Sequence, residues 1–172
     1  SPRQNRIERN LIRSCGTGGI VLAGANPQAV VVNNQIALIP GALGIDIQNG
    51  TGCLVSENTI REVVGPGAVC IRLLNTIGSK LFDNVVNRCS GNGILVDPGS
   101  NDNLFWKNVV TQAGGAAGLL VLGDRNSVEG NLLNNNTGRG LIFQPGADNN
   151  TYRQNTARGN IGAGACVGPC GP

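Results

Sequence analysis

A chain of 172 residues with no histidine has neither an imidazole base nor the commonest metal ligand, so its chemistry must come from other side chains. Ten acidic residues, thirteen basic ones, six cysteines and a single tryptophan are what remain. Arg72 and Asp97 form one candidate pair, with the arginine abstracting or stabilising and the carboxylate helping to hold a cation, as a polysaccharide lyase would require. The plainer reading of the same two residues is a surface ion pair, worth roughly 0–1 kcal/mol. Asp46 and Asp97 are expected about 12 Å apart by strand dimensions, too far for the acid and base of a glycosidase. Asp102, Asp124 and Asp148 recur six or seven residues before a repeated asparagine; stacked carboxylates about 5 Å apart would need neutralising, and calcium, which takes oxygen ligands, would do it. The plainer alternative has each Asp capping its own turn, with Arg125 relieving the repulsion. Phe82, Leu104 and Trp106 could anchor a partner protein, which we favour, or stack against a sugar ring.

Whether such residues meet depends on a repeat. Asn10, Asn34, Asn58, Asn84, Asn108, Asn131 and Asn155 follow one another at spacings of 24, 24, 26, 24, 23 and 24 residues, in seven copies of a unit that begins as NRIERNLI. An apolar residue stands three before each Asn, as in Ile7, Val31 and Leu81, and another two after it, as in Ile12, Ile36 and Val86. About ten residues on, a third run reads GIVL, GIDI, AVCI, GILV, GLLV and GLIF. Aligned on these runs, the inward columns are Ile20, Ile45, Val69, Ile94, Leu119, Leu141 and Leu22, Ile47, Ile71, Val96, Val121, Phe143. The outward columns then contain Asp46, Cys70 and Leu95, and beside them Gln48, Arg72 and Asp97.

Period-two apolar placement between Gly, Asn, Pro and Ser predicts three short strands per copy. With no room for crossover helices, coil must stack on coil, which makes an all-β parallel β-helix, a single-stranded solenoid of about seven 24-residue coils. At about 4.8 Å per coil the rod is roughly 34 Å long. Residues 1–160 form the repeats and residues 161–172 a Cys/Gly/Pro tail or cap. The asparagines are expected to take the left-handed bend between strands and to stack their amides in a structural ladder.

The recurring N-x-I-x-x-N-x-I unit followed by G-I-x-V resembles the right-handed parallel β-helix repeat of pectate-lyase-like and NosD-like proteins, from residue 5 to about 160. The resemblance implies fold more than activity, because that fold carries lyases, hydrolases, epimerases, tailspikes and non-catalytic surface proteins. It also implies that a polysaccharide groove, where one exists, runs along the outside of the G-I-x-V strand. The stretch TYRQNTARGN looks like the closing coil of secreted bacterial members, implying an extracellular or cell-surface location.

Glycine is abundant, at 27 residues, and the net charge of +3 is scattered, so no nucleic-acid footprint emerges. Arg3, Arg6, Arg9 and Arg13 cluster in the first coil without interleaved aromatics, which reads as a solvated end. No apolar run approaches the roughly 20 residues of a membrane span. No signal-peptide pattern opens the sequence, so a mature product or an excised fragment is expected, its first coil edge covered by an upstream domain, a partner chain or end-to-end stacking. Cys166 and Cys170 are close enough to pair locally; Cys15 and Cys89 share a turn position but lie three coils, about 14 Å, apart and cannot. Outward apolar residues are dense on the strand before each Asn (Val30, Val32, Leu54, Phe82, Leu104, Trp106) and on the strand after it (Leu11, Val85, Val109, Leu132), which points to an interaction surface. The function favoured by these residues is a secreted, non-catalytic scaffold for adhesion or assembly, as a homo-oligomer or an end-to-end stack. A polysaccharide lyase using Arg72 and Asp97, or a carbohydrate-binding module using Trp106, are the alternatives.

Overall fold

Runs of three to six residues are too short to be stable alone, but each meets its counterpart one repeat later. We describe the protein from a computed structural model, which describes residues 4–162 and the strand Cys166–Val167. Every named ladder in it is parallel and joins one run to the same run of the next coil. The first sheet orders Arg6–Glu8, Val30–Val32, Leu54–Ser56, Lys80–Phe82, Leu104–Trp106, Ser127–Glu129 and Thr151–Arg153. The second stacks Leu11–Arg13, Gln35–Ile39, Thr59–Val63, Val85–Cys89, Val109–Thr111 and Leu132–Asn134. The third stacks Gly18–Leu22, Leu43–Gln48, Val69–Leu74, Ile94–Val96, Ala117–Val121, Arg139–Phe143 and Cys166–Val167. The three sheets enclose one aliphatic core, in which Ile36, Ile60, Leu81, Phe105, Leu119 and Phe143 are completely buried.

The asparagine ladder forms along the whole described stack. Each Asn from Asn10 to Asn131 donates its side-chain amide to the Oδ1 of the next, at 2.9–3.0 Å, and its backbone N–H to the same oxygen at 2.9–3.2 Å. The second amide hydrogen serves a carbonyl of the coil before, as from Asn84 to Val55 at 2.9 Å. The asparagines from Asn34 to Asn131 are therefore buried with their polar atoms satisfied, the condition under which burial of an amide is tolerable, while Asn10 at the end of the rod is exposed.

The left-handed bend, however, does not belong to them. Positive φ falls on the residue immediately before each ladder Asn: Arg9, Asn33, Glu57, Asp83, Lys107, Gly130 and Gln154, all between 53° and 64°. That residue turns the chain and points its own side chain outward, which swings the following amide inward along the rod. The Asn is selected for its hydrogen bonds, and the bend itself accepts almost any solvent-facing side chain.

A second register correction concerns the third coil. The expected columns placed Val69 and Ile71 inward, but Ile71 pairs with Ile45 and Ile94, and Leu73 with Ile47 and Val96. The 26-residue spacing between Asn58 and Asn84 carries two extra residues, and they sit between the second and third strands of that coil, so its third strand is displaced by two. Cys70 thereby leaves the outward column and falls in line with Gly44 and Gly93 at the corner of the coil. That column is crowded: a Cβ on Gly44 would lie 2.4 Å from the carbonyl oxygen of Cys70. There Cys70 is bonded to Cys89, at the end of the second strand one coil on, with Cα atoms 5.9 Å apart and both residues buried. Cys15 and Cys53 are free among the described residues, and the expected Cys166–Cys170 pair lies outside them.

Candidate functional site

The displaced register rearranges the candidate site. Outward along the third sheet run Val21, Asp46, Arg72 and Leu95, so Arg72 faces Asp46 on the neighbouring strand, where Asp97 was the expected partner. Its guanidinium forks onto Asp46, Nε to Oδ1 and Nη2 to Oδ2, both at 2.8 Å. Gln48 Nε2 donates to the same Oδ2 at 2.6 Å, and Asp97 stands 3.9 Å from the Arg72 Nε. Asp46 is wholly buried, which is tolerable only because a bidentate arginine and an amide serve its oxygens. The hydrogen bond from Arg72 to Asp46 raises the arginine above its already high pKa against the opposing effect of burial, so it stays charged and cannot act as a base. Burial pushes the Asp97 carboxyl up, and the nearby Arg72 charge offsets part of that rise.

The two carboxylates thus converge on one guanidinium, far closer than the 12 Å expected from strand spacing. Convergence does not make them an acid–base pair, because Arg72 fills the space between them and Asp46 is closed to a substrate. The residues proposed for a lyase are held together, but as an ion-paired knot that ties three coils.

The acidic column does not stack either. Asp102 is in line with Arg125, one position away from Asp124 and Asp148: Asp102 N–H bonds the Asp124 carbonyl, and Arg125 N–H the Asp148 carbonyl. Arg125 forks onto Asp102 at 2.8 and 2.9 Å and holds its carboxyl below the usual range. Asp124 Oδ1 accepts the backbone N–H of Asp148 at 2.8 Å. These carboxylates therefore serve a guanidinium and a turn, and no group of three or more acidic or cysteine side chains is placed to share a metal ion among the described residues.

Phe82 and Trp106 do meet, on adjacent strands of the first sheet, with ring centroids 6.3 Å apart. Their planes are inclined by 53°, so the two rings do not form one continuous flat surface, and the Lys107 ammonium sits 4.2 Å over the indole. Leu104 is half-buried beside them, and Val30 on the same sheet is buried, so this face exposes less apolar surface than its sequence suggests. The second sheet exposes more: Leu11, Val85 and Leu132 stand in one column, 60%, 42% and 36% exposed. Leu38 and Val64, near the bend into the third sheet, are exposed too.

A second ladder went unread in the sequence. Five residues before the main asparagines, Ser79, Asn103, Asn126 and Asn150 each accept a backbone N–H from the coil before, at 2.7–3.0 Å. Its signal was visible as polar residues at a fixed offset, Asn5 in the first copy and Ser79 to Asn150 in the later four, but broken by Ala29 and Cys53 in the second and third.

A sequence model described as the right-handed β-helix region matches residues 1–171. The chain belongs to the right-handed β-helix family. No curated protein and no solved structure matches it. Membership agrees with the parallel solenoid, the ladders and the three-sheet core, and the family description carries no particular reaction.

Proposed function

We propose that this right-handed β-helix protein is a non-catalytic scaffold, secreted or displayed at a cell surface, that assembles side by side with further copies through the outer face of its second sheet. The observation that carries the reading is the column of exposed Leu11, Val85 and Leu132, interrupted by half-buried Val109 and by Gln35 and Thr59. Exposed apolar side chains in one line on a rigid sheet favour association, since burying each returns roughly 25 cal/mol per Å² of apolar surface. The engagement of Arg72 with Asp46 supports a scaffold over a lyase. The buried Cys70–Cys89 bridge is compatible with an oxidising compartment, and no helix of the described residues is long and apolar enough to cross a membrane.

Light scattering across a concentration series tests the proposal. The expected result is a mass above that of one chain, returning to monomer in Val85→Asp/Leu132→Asp. A strict monomer at every concentration would sink the idea.

A further inference from the structure

Some cations of the rod are matched by carboxylates among the described residues and others are not. Arg6, Arg72, Arg88, Arg125 and Arg153 each have a carboxylate partner. Arg13 and Arg61 have none among the described residues, although they stand close together. Both flank Ala37 in the second sheet, Arg13 in the coil before and Arg61 in the coil after. Their Cα atoms are thus two strand spacings apart, roughly 9–10 Å.

The small Ala37 side chain leaves a gap between them. The gap is a cavity of about 230 Å³, walled by Arg13 and Arg61 and edged by Gln35 and Thr59 on the neighbouring column. A second hollow shares Gln35 and Leu11 and extends the concavity to Arg9. No acidic side chain lines either one. Every charged group in the concavity is therefore a cation, and the neutral polar groups beside them, an amide and a hydroxyl, can donate hydrogen bonds.

We propose that this concavity binds an oxyanion, a sulfate or carboxylate group, held between the guanidinium groups of Arg13 and Arg61 above Ala37. A planar guanidinium presents parallel N–H donors that match two oxygens of such a group, and two of them on opposite sides can grip it from both edges. Thr59 and Gln35 complete the donor set, and Arg9 lies where a second charge on an extended ligand would fall. The strip contains no aromatic side chain on which a nucleic-acid base could stack. The group can be a free ion or can be carried on an acidic glycan; the recognition chemistry is the same. This site shares Leu11, Gln35 and Thr59 with the column proposed for assembly, so the two are told apart by variants confined to one of them, Val85→Asp/Leu132→Asp for assembly and Arg13→Ala or Arg61→Ala for the anion.

Calorimetric titration at low ionic strength distinguishes the sources, using inorganic sulfate in one arm, and dextran sulfate and polygalacturonate oligomers in the other. Saturable binding of sulfate alone supports a free-ion site, and binding of an oligomer alone supports a glycan-borne group. In either case Arg13→Ala and Arg61→Ala each weaken binding about tenfold or more, and added salt weakens it further. Ala37→Glu places a carboxylate between the two arginines and abolishes binding. Arg139→Ala, on the third sheet and away from this cavity, leaves binding unchanged. The proposal is overturned if no probe binds the wild-type protein, or if Arg139→Ala weakens binding as much as Arg61→Ala.

Discussion

Replacing Asn84 by glycine, and separately replacing its neighbour Asp83 by glycine, tests what the asparagine ladder does. Were the asparagine present to adopt the left-handed bend, glycine would be its mildest substitute, because glycine takes positive φ at no steric cost. The structure assigns the bend to Asp83, at φ 53°, and assigns hydrogen bonds to Asn84. Asn84 Oδ1 accepts both the backbone N–H and the side-chain amide of Asn58, at 3.1 and 3.0 Å, and its own amide reaches Val55 and Asn108 at 2.9 Å each. Removing it leaves the Asn58 N–H buried without an acceptor, a loss of about 1–3 kcal/mol. The small cavity and the flexibility of glycine in the unfolded chain bring the total to roughly 3–5 kcal/mol. For a chain of this size that lowers the thermal midpoint by about 6–20 °C. Asp83 is exposed and its side chain makes no hydrogen bond or ion pair among the described residues. Asp83→Gly should therefore be neutral or stabilising, by up to about 1 kcal/mol, as the strain of a left-handed non-glycine residue is relieved. Urea unfolding followed by far-ultraviolet circular dichroism measures both variants. The reasoning is refuted if Asn84→Gly unfolds within about 1 kcal/mol of wild type, or if Asp83→Gly is the more damaging of the two.

Two further outcomes follow from the other fixed points of the rod. Cys70 and Cys89 close a loop of 19 residues, so Cys70→Ala/Cys89→Ala should lose about 3 kcal/mol of stability, read as a lower urea midpoint, while peptide mapping of unreduced wild type recovers that cross-link and none between Cys15 and Cys89. The Asp102 carboxyl is held low by Arg125, so the folded chain binds fewer protons there than the unfolded one; its contribution is present above the ordinary carboxylate pKa and fades as the pH falls through the lowered value. The urea midpoint of Asp102→Asn should accordingly decline less steeply than that of wild type below about pH 4, and an identical decline would refute the pairing.

The residues themselves determined the architecture. An asparagine recurring near every 24th residue, flanked by aliphatic columns with a period of two, leaves stacked parallel strands as the arrangement that buries those columns and satisfies the amides. The apolar second-sheet column of Leu11, Val85 and Leu132 was legible for the same reason, since alternation along a strand assigns each side chain to a face. Tertiary structure decided what depends on register and on side-chain reach. A two-residue expansion between Asn58 and Asn84 can be absorbed at any of three turns, and only the packed third sheet shows that it lies before Val69, which moves Cys70 into contact with Cys89 and turns Arg72 toward Asp46. The bend likewise passed from Asn84 to Asp83 because both neighbours are polar and both tolerate the left-handed region, and the choice was made by which side chain could reach the ladder in the next coil. The pairing of strands is written in a pattern that repeats, whereas the site lies where the pattern is broken, and a break gains meaning only from what the folded chain places beside it.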